Sequence, residues 1–328
     1  MRQKHAWLWE ILVVTLFFLL FVNVAYAAKV TIRLASAFEP GHILCKAGEK
    51  FKELVEQYSN GEIEVQTFFG GVMGSEEEIV EAVSVGALEM NTGGGNIIQI
   101  FAPQYYFFDS PFVMKDWNHF LRVWNGPLGE KAREEILKNG NTLILGVVYR
   151  GVRHFTSNKP IKTPDDLKGI KLRLPQLPTW IKVWQALGAN TVPVPLTELF
   201  TALQTGVADA SEGDPPQILS FHLYEVQKYL SLTGHLVQTG YLSINKSFFD
   251  KLSKEHQEII LRAGKEATEW AAQQIVEREQ EIIKELESKG MEIVVPDVEA
   301  FREKAKPVVE ELFRTQWTVT TWEEVLSY

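Results

Sequence analysis

From residue 253 to residue 289 the chain sustains one helical pattern, with Ile259, Ala263, Ala267, Trp270 and Gln274 on one face and Gly290 as its stop. About 35 residues at 1.5 Å each span about 50 Å, more than the width of one lobe. At 328 residues the chain is also too long for one comfortable core, so two lobes are expected.

Ahead of that helix, strand and helix patterns alternate. Val30, Ile32 and Leu34 alternate with polar neighbours as a strand, and Leu44, Ala47, Phe51, Leu54 and Tyr58 recur at helical spacing. Ile63, Val65 and Thr67 form a second strand. The segment GSEEEIVEAV then opens a helix with acids in its first turn, where the dipole favours them. Gly93, Gly94 and Gly95 follow a strand but lack the spacing of a dinucleotide loop, so close backbone approach of a ligand is the better reading and no cofactor is expected. The aromatics of residues 105–112 have no interleaved basic residues and read as core. Residues 142–149 and 291–295 read as strands, as do residues 208–210. Such βα alternation predicts a largely parallel sheet.

The N-terminus reads as a removable export signal. Arg2 and Lys4 precede an apolar run at residues 11–22, shorter than the roughly 20 residues of a membrane span, and Ala25-Tyr26-Ala27 is a small-x-small cleavage site. Cleavage after Ala27 removes Arg2, Lys4 and Glu10, a net +1, and takes the formal charge from −9 to −10. An acidic chain argues against nucleic acid or an anionic membrane surface as partner. The lone Cys45 falls in a helical pattern and is expected to be buried, leaving no thiol nucleophile.

Enzyme signatures are missing: there is no Gly-x-Ser-x-Gly elbow, paired zinc histidines, Walker loop or calcium loop. His42, His154 and His235 read as ordinary polar residues, and no metal site is expected. The informative stretch is residues 149–215. It carries Arg150 and Arg153 in YRGVRHFTSNKPI, Arg173 in the alternating strand IKLRL, and PVPLTELFTALQTGVADASEGDPP. Arg173 is expected on a rigid strand with one buried face, aimed away from the core. A guanidinium so held suits bidentate capture of a carboxylate. Residue types alone nevertheless favour solvated arginines, or partners for Asp165 and Asp166.

The runs GVRHFTSNKPI, DLKGIKLRLP, ALGAN and ELFTALQTGVADA, in that order, resemble the signature of the TRAP-transporter solute-binding proteins, the DctP-type periplasmic receptors. The likeness covers nearly the whole chain beyond the signal. It implies an α/β, two-lobe, type II (Venus-flytrap) fold, the long helix bridging both lobes. The corresponding division is residues 1–27 signal peptide, 28–150 plus 239–278 lobe I, and 151–238 plus 279–328 lobe II. It implies a monomeric periplasmic receptor that passes a small carboxylate to TRAP membrane permease subunits and performs no chemistry. By the same resemblance Arg173 matches the carboxylate clamp and Arg153 a second cationic contact, while Gln176 occupies a donor position. Glu76, Thr92 and Gly94 fall where lobe I contributes contacts. Gly213, Asp214 and Leu196 depart from the sialic-acid-type pattern, which points to a different hydroxy or sugar acid. Asp214 is expected to repel a second carboxylate. Arg150 lies outside the matched motif and is expected to be solvated. The alternatives are a C4-dicarboxylate receptor of the same system and a periplasmic hydrolase or lyase.

Overall fold

A computed structural model describes residues 29–328, so the expected signal segment lies outside the described residues. Among these, nine strands form one sheet: β1 (Val30–Ala35), β2 (Ile63–Phe68), β3 (Met90–Gly93), β4 (Thr142–Ser157), β5 (Lys171–Leu174), β6 (Asn190–Pro193), β7 (Ala210–Gly213), β8 (Tyr229–Asn245) and β9 (Glu292–Val294). Their order is β2-β1-β3-β8-β4-β7-β5-β6, with β9 beside β8. In one lobe β1 pairs in parallel with β2 and β3, and in the other β5 pairs in parallel with β6 and β7.

The expectation of a largely parallel sheet fails in the middle. β4 and β8, of 16 and 17 residues, are antiparallel to each other and to their neighbours β7 and β3. The reason is topological: a chain that crosses between lobes on one long strand must return on another that runs the opposite way. Both crossings therefore stay hydrogen-bonded within the sheet, and β4 continues as one strand from Thr142 to Ser157.

The long helix spans Lys254–Ser288 and is capped by Ser253, whose side chain accepts from the His256 N–H. It packs on the helix Ile43–Tyr58, on β4 and on the helix Pro215–Ser220, and so touches both lobes. Its buried stripe is Ile260, Ala263, Gly264, Ala267, Ala271 and Ile275, whereas Trp270 remains 38% exposed. The stripe is thus displaced from the expected Ile259, Trp270 and Gln274 because the helix lies too close to β4 for large side chains. A Cβ on Gly264 would stand 2.7 Å from Leu145 Cβ, and one on Gly146 would stand 2.0 Å from Thr268 Oγ1.

Tyr105, Tyr106, Phe107 and Phe108 are buried core, with Phe107 stacked on Phe108 at 4.6 Å and Phe108 edge-on to Trp124 at 5.1 Å. Cys45 is free and buried, and burial pushes its thiol up to about 12, which leaves it inert at neutral pH. Among the described residues, no helix is long and apolar enough to cross a membrane.

Candidate functional site

The crossing strand β4 builds one wall of the site through an irregularity. On a regular strand, residues three apart face opposite sides, so Arg150 and Arg153 would diverge. The register of β4 against β8 shifts between Tyr149 and Gly151, where Gly151 takes φ +106°. That extra residue turns both guanidinium groups toward the same carboxylate. Arg150 Nη2 donates to Asp214 Oδ2 at 2.7 Å, and Arg153 Nη1 approaches the same oxygen at 3.3 Å. Arg150 is 2% exposed and lies over the Phe38 ring at 4.5 Å, so the expectation that it is solvated is wrong. Nor does any of the three arginines pair with Asp165 or Asp166. Asp165 is exposed beside Lys168 and Lys304, and Asp166 caps Thr163.

Opposite β4, the end of β7 supplies Glu212 and Asp214, two residues apart and on one side of the chain. Arg153 reaches the Glu212 carboxylate through Nε and Nη2, the Glu212 carbonyl at 2.8 Å, and Gln238 Oε1 at 2.9 Å. Burial works to raise both carboxyls. Arg153 and His235 overcome it at Glu212 and hold that group down to about 2, while Arg150 and His42 hold Asp214 well below its ordinary value. Asp214 also caps the helix Pro215–Ser220 by accepting from the Gln217 N–H at 3.0 Å. His42, His154 and His235 are buried, each with a hydrogen-bond partner within the protein. His42 Nδ1 accepts from the Leu44 N–H, so its Nε2 carries the proton facing Asp214 Oδ1 at 3.3 Å. His235 Nε2 lies 3.0 Å from Glu212 Oε2. Burial lowers all three imidazoles, His42 to about 4 and His154 to about 3.

These groups back a cleft of about 340 Å³ between the lobes, whose lining includes Glu76, Gly94, Asp109, Arg150, Arg153 and Arg173. The lobes touch across it: Trp180 Nε1 donates to the Asp109 carbonyl at 2.6 Å, and a Cβ on Gly71 would meet Thr197 Cγ2 at 2.4 Å. A larger groove of about 1510 Å³ lies along the long helix, but its basic residues Lys46, His222, Arg278 and Lys289 are exposed. Of the ten buried side-chain polar atoms without a partner among the described residues, three belong to the smaller cleft. Arg150 Nε, Arg173 Nη2 and Gln217 Nε2 are buried donors without an acceptor.

Arg173 sits on β5 as expected, but it is 1% exposed, and Leu172 and Leu174 beside it are fully buried as well. The strand therefore has two buried faces, not one. Its Nε donates to the Val194 carbonyl at 2.9 Å, and burial pulls the guanidinium down to about 10 against the opposing field of Glu212. Glu76, at the start of the helix Glu76–Ser84, accepts from the Gly94 N–H, and burial raises its carboxyl. Leu196 also lines the cleft. The remaining candidates lie elsewhere. Gln176 is exposed, Thr92 is turned to the Leu44 carbonyl at 3.4 Å, and Gly213 and Asp214 lie behind the lining. Asp214, expected to face the ligand, is instead paired with Arg150 and Arg153.

Sequence reasoning missed Asp109, Arg150, Trp180, Gln217 and Gln238, all in the lining. Asp109 carried a usable signal: a carboxylate ending the apolar run YYFF is out of place in a core.

A family model described as bacterial extracellular solute-binding protein, family 7 (DctP) matches residues 34–316. A solute-binding protein of Roseobacter denitrificans is 32% identical over 303 residues, 89% of this chain and 93% of that protein. Among solved structures, a TRAP periplasmic solute-binding protein from Roseobacter denitrificans with bound L-galactonate matches with TM-score 0.84 and 31% identity, over 91% of this chain and 99% of that one. Another from Sulfitobacter, with bound β-D-galacturonate, matches with TM-score 0.83 and 29% identity, over 90% and 98%.

Proposed function

The chain belongs to the bacterial extracellular solute-binding proteins of family 7, and from that premise we infer that it is the periplasmic receptor of a TRAP transporter that captures a hydroxy or sugar acid and delivers it to membrane permease subunits. The observation that carries the ligand class is the trio of buried donors without acceptors, Arg150 Nε, Arg173 Nη2 and Gln217 Nε2. A carboxylate, acceptor-only with about four lone-pair sites, satisfies such a group of donors. Arg173 is the clamp, since its guanidinium lies in the lining with Nη2 free. Arg153, whose donors are taken by Glu212, Asp214, Gln217 and Gln238, frames the site rather than holding the acid. The relatives with bound L-galactonate and β-D-galacturonate support a sugar acid here.

Entry and release follow from the contact between the lobes. Trp180 bonds the Asp109 carbonyl across the cleft, so the lobes part about β4 and β8 to admit the acid and close upon it. With lobe I taken as residues 28–150 plus 239–278 and lobe II as 151–238 plus 279–328, the site draws on both. The receptor acts as a monomer and returns its ligand unchanged. A thermal-shift screen of organic acids tests the ligand class: hydroxy and sugar acids stabilise the protein more than succinate, malate and fumarate. The reverse order would favour a C4-dicarboxylate receptor. A ligand recovered chemically altered after incubation would replace the receptor by a hydrolase or lyase.

A further inference from the structure

The three arginines have the counter-charges Glu212 and Asp214 behind them, yet the cleft holds two further carboxyls that serve neither as their salt-bridge partners. These are Glu76 and Asp109. Asp109 is 1% exposed at the end of a buried aromatic segment, where a carboxyl without a cationic partner is costly. Its surroundings hold it in one orientation. Gln238 accepts from Arg153 through Oε1, which fixes its amide so that Nε2 donates to Asp109 Oδ1 at 2.6 Å. Tyr106 OH lies 3.3 Å from Oδ2. Gly95 makes room for it, because a Cβ there would stand 1.8 Å from Asp109 Oδ2. Each carboxyl oxygen accepts two hydrogen bonds, so these contacts leave acceptor capacity open toward the cleft.

We propose that Asp109, together with Glu76, is the specificity-determining acceptor of this receptor, taking hydrogen bonds from the hydroxyl groups of an acid whose carboxylate lies on Arg173. The idea rests on the sugar-acid reading above and deepens it. The cleft is then divided by chemistry, with unsatisfied donors on Arg150, Arg173 and Gln217 and open acceptors on Glu76 and Asp109. A polyhydroxylated monocarboxylate matches both sides. A dicarboxylate brings its second charge against Glu76 and Asp109, and a plain fatty acid leaves the two acceptors desolvated without donors. A site built to bond hydroxyls discriminates strongly against analogues that lack them.

Calorimetry with D-galacturonate, D-gluconate, hexanoate and succinate tests the assignment on the wild type, Asp109→Asn, Gly95→Ala and Arg173→Lys. Asp109→Asn keeps the shape and removes one acceptor, while Gly95→Ala displaces the carboxyl without deleting it and serves where the first variant fails to fold. Both should lose roughly 10- to 100-fold in affinity for the sugar acid bound by the wild type. Succinate should gain with Asp109→Asn, and hexanoate should stay weak and unchanged. Equal losses for all four acids, or an undiminished sugar-acid affinity in Asp109→Asn, would overturn the specificity role. Arg173→Lys separates this from the carboxylate clamp: its affinity loss should be common to every acid, and its failure to weaken binding would sink the clamp while leaving the selectivity shift to be read on its own. A wild type that binds none of the four overturns both readings.

Discussion

Replacing Arg173 should make the protein more stable and abolish its function. Burial pulls the guanidinium from 12.5 down to about 10, and at about 1.4 kcal/mol per tenfold that is about 3 kcal/mol spent on keeping a charge there. Arg173→Met keeps most of the volume and removes that cost. It also leaves the Val194 carbonyl without its partner at 2.9 Å, worth about 1 kcal/mol. The net gain should be about 1 to 2 kcal/mol, read as a higher Tm in the absence of any acid. Binding should move the other way. Removing one partner of a buried ion pair costs about 3 to 5 kcal/mol, which is roughly 100-fold to several thousand-fold in Kd. Arg173→Lys keeps the charge and loses the fork, so its affinity should still fall by about tenfold or more. Calorimetry and thermal denaturation of the same preparations decide the matter. Near-wild-type affinity in both variants, or a lower Tm in Arg173→Met, would mean that this guanidinium is not held in reserve for a carboxylate.

Arg150→Ala should behave in the opposite sense and cost about 3 to 5 kcal/mol of stability, read as a lower Tm, since it strips a buried partner from Asp214; an unchanged Tm would count against that ion pair. For Asp109, burial first, then Glu76 and against the pull of Arg150 and Arg153, raises the carboxyl from 3.8 to about 7, with Tyr106 the other group that faces it. A raised acid makes the folded state hold a proton that the unfolded state releases, so wild-type stability falls as pH climbs through this window and the penalty is complete above pH 7. The stability advantage of Asp109→Asn should therefore grow by about 2 to 3 kcal/mol between pH 5 and pH 8, and a pH-independent difference in denaturation midpoints would refute it. Small-angle scattering should show compaction on saturation with the bound acid, and no change in radius of gyration would contradict closure of the lobes. N-terminal sequencing of secreted protein should begin near Ala28; an intact Met1 in the membrane fraction would reject the export signal.

What the sequence made legible was periodic. The helix Lys254–Ser288 falls within one residue of the expected limits at either end, because a helical pattern sustained over ten turns leaves no competing period. The helix Glu76–Ser84, with its acids in the first turn, was likewise written in local residue types. The resemblance led to Arg173, Glu76, Gly94 and Leu196, each of which lines the cleft. The antiparallel pairing of β4 with β8 was not local. It depends on where a strand returns some 80 residues later, and nothing in residues 142–157 records the direction of that partner.

The error at Arg150 shows what kind of information periodicity cannot carry. Period-2 reasoning assigns faces correctly only while the register holds, and one added residue at a bulge reverses the assignment for everything beyond it. Gly151 at φ +106° marks the place, yet a glycine between Arg150 and Val152 suits a turn, a bulge or a close backbone approach equally well when only its neighbours in the chain are known. The consequence is chemical as well as geometric. Because the bulge brings Arg150 onto Asp214, that carboxylate is satisfied from behind the lining, and the acidic character of the cleft passes to Asp109 and Glu76. Asp214, read from the sequence as the discriminator against dicarboxylates, thus anchors the arginines, and the carboxyls that line the cleft are Glu76 and Asp109, the latter at the end of an aromatic core segment. The proposed selectivity for a hydroxylated acid therefore rests on Asp109 and Glu76, which line the cleft, and no longer on Asp214, which does not.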